Sequence, residues 1–170
     1  MSLGEVGVNG EPSRLSDLSW CDSKVSVCMK GEVDLQELIG QVKLNERFRE
    51  VGAIAAFLGV VRSTSATGEA VDHLELEAHE DKTEDDLAKI SNEIKESPGV
   101  VEVVIQHAVG VLEKGDPIMA VVVAGKSRTD VFPALIDAVE RAKREARIWK
   151  KEVLSSGQSY WVSYERAVRR

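Results

Sequence analysis

Between residues 23 and 163 the apolar positions switch between a spacing of two and a spacing of three to four, and each switch marks an element. Residues 23–29 alternate, with Val25, Val27 and Met29 on one side, and predict a strand. Asp34 can cap a short helix on which Leu35, Leu38, Ile39 and Val42 recur at helical spacing. Residues 52–62 are apolar throughout and end on Arg62, the mark of a buried strand; residues 63–69 supply Ser, Thr and Gly for a loop. Residues 71–78 alternate again, putting Leu74, Leu76 and Ala78 on one face. Thr83, with Asp86 three residues on, resembles a capping box that opens a helix to about Glu96. Leu87, Ile90 and Ile94 form its stripe and Pro98-Gly99 stops it. A strand over 100–109, a turn at 113–116 and a strand over 117–124 read as a hairpin. A further helix begins near Thr129 or Asp130 and runs to about Arg147, with Pro133 in its first turn. Residues 148–154 and 159–163, with Gly157 between them, read as a last strand pair.

Strands and helices mix without a regular βαβ repeat, so the expected class is α+β with a mainly antiparallel sheet. The 170 residues suit one domain over 23–170, preceded by a weakly ordered arm over 1–22 rich in Gly, Ser, Asp and Asn. Apolar residues make up 43%, enough to fill a core and far from a disordered composition. No apolar run reaches the ~18 residues of a membrane span, and the first residues lack a secretion signal. Cys21 and Cys28 form neither a metal motif nor a disulfide scaffold. These features point to a cytoplasmic protein with free thiols and no membrane partner.

Charge sharpens the picture. The formal net charge is −7, yet residues 141–151 carry Arg141, Lys143, Arg144, Arg147, Lys150 and Lys151 against Glu145 alone. That segment holds +5 and leaves −12 on the rest, a local attraction for a small anion on a body that repels polyanions. A solvated helix end with cations near its negative pole would look the same. Nucleic acid is a poor partner for an acidic chain with 5% aromatics.

Phe132, Ile136, Val139 and Lys143 fall at i, i+4, i+7 and i+11, so Lys143 continues an apolar stripe. It either snorkels into water or is a partly desolvated amine, suited to nucleophilic or proton-transfer work. Lys150 follows seven residues on, about 10 Å away if the helix continues, with Trp149 between them as a wall. At the helix start, Gly125-Lys126-Ser127-Arg128 offers free N–H groups, a hydroxyl and two cations to an anion. Arg128 and Lys143 are separated by ~22 Å on a straight helix, so one pocket holds both only if two copies of the chain share it. Arg62 is a third candidate cation. His73, His79 and His107 have no metal-like spacing, and no nucleophile triad or phosphate loop is present.

Four pieces in order resemble the catalytic, large-subunit family of molybdopterin synthase: Gly59-Val60-Val61-Arg62 closing its strand; Leu74-Glu75-Leu76-Glu77-Ala78-His79; the turn from Val109-Gly110 through Leu112 to Gly115-Asp116; and Lys143 followed by Ile148-Trp149-Lys150-Lys151-Glu152. The resemblance runs from about Ser23 to Val162. It implies an α/β hammerhead-type α+β fold, a central homodimer, and a heterotetramer with a small ubiquitin-like sulfur-carrier subunit whose C-terminal tail ends in a thiocarboxylate. The implied reaction moves two sulfurs onto cyclic pyranopterin monophosphate to make the dithiolene of molybdopterin, with no metal or organic cofactor.

By motif, Lys143 and Lys150 match the family's catalytic lysines. Val60, Val61, Arg62, Ser127, Arg128, Lys151 and Glu152, together with both lysines, match its substrate-binding positions, and Arg128 is the one that the family supplies from the neighbouring subunit. Three departures stand out: Ser127 replaces a histidine, Ala108 an arginine and Arg147 a proline. The Ser127 and Ala108 departures keep a second reading open, a non-catalytic dimeric module that captures a ubiquitin-like tail or a phosphorylated pterin.

Overall fold

A computed structural model describes residues 25–79 and 82–162, so the arm expected over 1–22 lies outside the described residues. In chain order the elements are β1 (Val25–Cys28), α1 (Leu35–Lys43), a 3-10 turn (Phe48–Glu50), β2 (Ala53–Val60), β3 (Val71–Ala78) and α2 (Thr83–Lys95). There follow β4 (Val100–Ala108), β5 (Gly110–Glu113), β6 (Pro117–Gly125), α3 (Arg128–Glu145), β7 (Ile148–Leu154) and β8 (Ser159–Val162). They build an α+β fold of two four-stranded sheets, ordered β1-β4-β6-β2 and β5-β3-β7-β8. Every pairing is antiparallel except β1 with β4.

The central strands β4 and β6 are buried along nearly their whole length, as their unbroken Val, Ile and Ala runs require. One face of this first sheet (Val103, Ile105, Val121, Val123) packs under α2 and α3. The other (Val104, Ala120, Val122, Ala124) shares a second core with Leu38 and Val42 of α1 and Leu74, Leu76 and Leu112 of the second sheet. Burying each such Leu or Val contributes roughly 1.5–3 kcal/mol. Asp34 caps α1 as expected: its Oδ1 accepts from the Gln36 and Glu37 amides at 2.7 and 3.2 Å.

Five local expectations are corrected. The strand over 52–62 is an edge rather than a buried strand: Ala55 is buried, but Ile54, Leu58 and Val60 are 38%, 41% and 45% exposed. The strands over 100–109 and 117–124 do pair, but the chain between them crosses to the second sheet as β5, so they are not a simple hairpin. Thr83 forms no capping box; its hydroxyl donates to the His79 and Arg147 carbonyls, both at 3.0 Å, and pins α2 to the end of α3. Because α3 starts at Arg128, Pro133 stands in its second turn. Finally, the core-facing row of α3 is Val131, Ala134, Ala138 and Ala142; Phe132 and Ile136 are 57% and 66% exposed, since small residues let the helix settle close onto the sheet.

Gly52 is needed where β2 begins. A Cβ there would run into the Lys126 carbonyl, so the start of β2 and the turn into α3 lie against each other.

Candidate active site

The chain after β6 turns back over the first sheet as α3, and β2 runs antiparallel to β6. Hence β2 and α3 point the same way. Ala53 pairs with Gly125 beside the start of α3, while Val60 pairs with Pro117 at the opposite end. At that far end the Val61 amide donates to the Asp116 carbonyl at 3.0 Å and the Gly115 amide to the Val61 carbonyl at 2.9 Å. Val61 is thereby buried, and its neighbours Val60 and Arg62 are turned outward.

Lys143, near the end of α3, is exposed, and its ammonium lies 5.3 Å from the centroid of the Phe57 ring on β2. Such a contact is worth about 0.5–1 kcal/mol at an open site and holds the amine over the sheet end. Beneath it runs a row of paired residues, His107 on β4, Met119 on β6 and Gly59 on β2. His107 is buried, and its Nδ1 lies 2.8 Å from the Ala108 carbonyl, where only a ring N–H can bond. Burial, against the opposing carbonyl bond and with a smaller push from the Lys143 charge, brings its pKa down to about 4, so the imidazole is neutral near pH 7.

Lys150 is on β7, not on a continuation of α3, which ends at Glu145. Along β7, Lys150, Glu152 and Leu154 face inward, while Trp149 and Lys151 face the outer side of the second sheet. Trp149 therefore does not wall the space between the lysines, and Lys151 bonds Glu75 at 2.9 Å across the outer face. Leu76 pairs with both Lys150 and Gly110, and Gly110 stands three residues beyond His107, so Lys150 lies at the same end of the molecule. Its ammonium is 3.3 Å from the buried carboxylate of Glu152.

The other cations of the 141–151 segment are also neutralised. Arg141 pairs with Glu93 and Glu145, Arg144 with Glu145 and Arg147 with Asp86. Among the described residues, none offers a carboxylate to Lys143, to Arg62 or to Arg128. The expected positive patch thus reduces to a few cations left available.

Arg62, Lys143 and Lys150, with Val60, Val61 and Glu152, belong to one end of the molecule; Ser127 and Arg128 belong to the other. The Ser127 hydroxyl meets Thr129 at 2.6 Å and Asp130 at 2.7 Å rather than capping the helix amides. The eight residues of β2 that separate the two ends span about 24 Å. Sequence reasoning passed over Tyr160, whose phenol donates to Glu152 Oε2 at 2.7 Å, because that pairing depends on the β7–β8 register. It also left His107 unassigned, since nothing local reveals that the strand end lies under α3. Among the described residues no cluster of His, Cys, Asp or Glu could hold a metal ion.

The family model described as MoaE protein matches residues 29–145. A molybdopterin synthase catalytic subunit from Pyrococcus abyssi is 33% identical over 147 residues, 86% of this chain and 95% of that relative. The crystal structure of molybdopterin synthase from Staphylococcus aureus superposes with a TM-score of 0.72 at 30% identity, covering 83% of this chain and 98% of that one. A Helicobacter pylori complex of subunits 1 and 2 of molybdopterin-converting factor shares the fold, with a TM-score of 0.65 at 21% identity over 83% and 91% of the two chains.

Proposed function

Because the chain belongs to the MoaE family, we propose that it is the catalytic subunit of molybdopterin synthase, a sulfurtransferase of molybdenum cofactor biosynthesis. It takes sulfur from the C-terminal thiocarboxylate of a small ubiquitin-like carrier and places two sulfurs on cyclic pyranopterin monophosphate, giving the molybdopterin dithiolene. The observation that carries this reading in the chain itself is the gathering of Arg62, Lys143 and Lys150 at one end of the fold, with the first two left without carboxylate partners among the described residues.

The chemistry asks for cations rather than for a strong enzymatic nucleophile, since the thiocarboxylate sulfur is itself nucleophilic. The enzyme has to hold a phosphate and a thiocarboxylate side by side. At ~4 Å and an effective dielectric near 20 their repulsion is about 4 kcal/mol. Arg62, Lys143 and Lys150 offset it and preorganise the approach of sulfur to the pterin. Val60 and Val61 shape the wall beside Arg62, and Lys143 delivers a proton as sulfur adds.

Arg128 and Ser127 join this site from a second copy. Since β2 and α3 run in parallel, antiparallel docking of two β2 edges brings the α3 start of one copy to the Lys143 end of the other. The free edge carries apolar side chains for such a contact, Ile54, Leu58 and Val60 on β2 and Phe132 and Ile136 on α3. A homodimer with one carrier on each copy, a heterotetramer, follows. Thiocarboxylate and dithiolene both suit a reducing compartment, which supports a cytoplasmic location; no described helix is long and apolar enough to cross a membrane.

The test is reconstitution. Purified protein, thiocarboxylated carrier and the pterin monophosphate should yield product with paired sulfurs. Tight binding of both without product would support the non-catalytic module instead.

A further inference from the structure

Lys150 sits on a short strand with a long, freely rotating side chain, and something must hold its ammonium at the site. Its partner Glu152 is two residues on along the same face of β7, only 5% exposed, with Oε1 3.3 Å from the ammonium. The other oxygen, Oε2, accepts from the Tyr160 phenol at 2.7 Å. Glu152 and Tyr160 are directly paired across β7 and β8, so the ring lies beside the carboxylate it serves.

The side chains of Ser65 and Thr67 lie near the phenol and favour its ionised form, while burial and Glu152 oppose it. Those two belong to the loop that follows Arg62. There the Ser65 hydroxyl accepts from the Thr67 and Glu69 amides at 3.2 and 3.1 Å, and the Thr67 hydroxyl donates to Glu69 at 2.8 Å. Ser65 is itself buried. Direct polar contacts therefore run from Tyr160 through Glu152 to Lys150, with the loop after Arg62 beside the phenol. Glu152 is buried and Tyr160 half-buried, and the bond between them is directional.

We infer that Tyr160 is a positioning residue for sulfur transfer: it fixes the Glu152 carboxylate, and through it Lys150, at a set place relative to the Arg62 loop. Tyr160 touches neither substrate, and no bond is made or broken at it. Without its hydroxyl, Glu152 loses the partner that orients it, and Lys150 is free to leave the phosphate and thiocarboxylate.

The inference rests on the assignment of Lys150 to the active site, so its test carries Lys150→Ala alongside. In the reconstituted enzyme, Tyr160→Phe, which keeps the ring, should lower kcat about tenfold. Carrier affinity and Tm should stay at the wild-type values. Glu152→Gln should lower kcat similarly, and Tyr160→Phe added to Glu152→Gln should cost little more, because both act through one group. Wild-type kcat for Tyr160→Phe overturns the inference, as does a full further tenfold loss in the Glu152→Gln background. A lowered Tm with unchanged kcat would make Tyr160 a packing residue only, and overturns it too. Should Lys150→Ala turn over normally, the site assignment itself fails, a result separable from all of these.

Discussion

Lys143 owes its availability to what surrounds it. Arg141 and Arg144, two residues before and one after, are tied to Glu145, while Lys143 rests on the Phe57 ring above a neutral histidine. Lys143→Ala should therefore reduce turnover at least a hundredfold in the reconstituted assay, while carrier binding, measured by titration, weakens far less. Wild-type turnover in that variant would remove the lysine from the chemistry. His107 adds a pH dependence of its own. Its folded pKa of about 4 lies below the ordinary value of 6.5, so the unfolded chain binds a proton first as pH falls. Stability from this group is complete above about pH 6.5 and is lost progressively down to about pH 4, at up to about 1.4 kcal/mol per unit. Chemical denaturation at pH 7 and pH 4.5 should show a smaller decline in His107→Leu than in the wild type. At this scale the sequence was partly legible. The motif residues and their order could be read from it, and so could the unusual lysine on α3. The Glu152–Tyr160 contact could not, because a cross-strand pair needs a register that a four-residue turn sets.

Most elements follow from their periodicity, and the misreadings share one cause. A run of apolar residues says that a strand meets apolar surroundings without saying on which face or from which molecule. Residues 52–62 look buried because their outer positions are apolar, yet among the described residues β2 is an edge strand whose Ile54, Leu58 and Val60 stand exposed. Likewise Phe132 and Ile136 continue a helical stripe that stands exposed among the described residues. Both oddities have the same explanation if a second copy lies against them, since a long apolar edge strand is otherwise an aggregation hazard. Leu58→Glu should then convert the dimer to a monomer in sedimentation or light scattering without unfolding it; an unchanged dimer would place the interface elsewhere. Gly52 illustrates an element boundary fixed by space alone. Gly52→Ala drives a methyl into the Lys126 carbonyl and should cost about 2 kcal/mol or more of stability by denaturant titration.

At the scale of the whole molecule, topology decides where function can be. α3 carries Arg128 at one end and Lys143 at the other, and β2 beside it keeps the ends apart, so under the proposed function a single copy holds half of each of two sites. The ~22 Å separation was legible from a spacing of fifteen residues; that β2 and α3 run in the same direction was not, because it depends on which strand pairs with β6. The acidic remainder of the chain fits the proposed function, repelling polyanions where two copies would converge their cations on small ones.

Mixed dimers test this sharing most directly. Arg128→Ala and Lys143→Ala chains, each inactive alone, are co-expressed so that they assemble together. If each site takes Lys143 from one copy and Arg128 from the other, half the dimers are mixed and one of their two sites is intact, restoring about a quarter of wild-type turnover. Turnover no higher than that of the separate variants would contradict the account, for it would mean that both residues act within one chain.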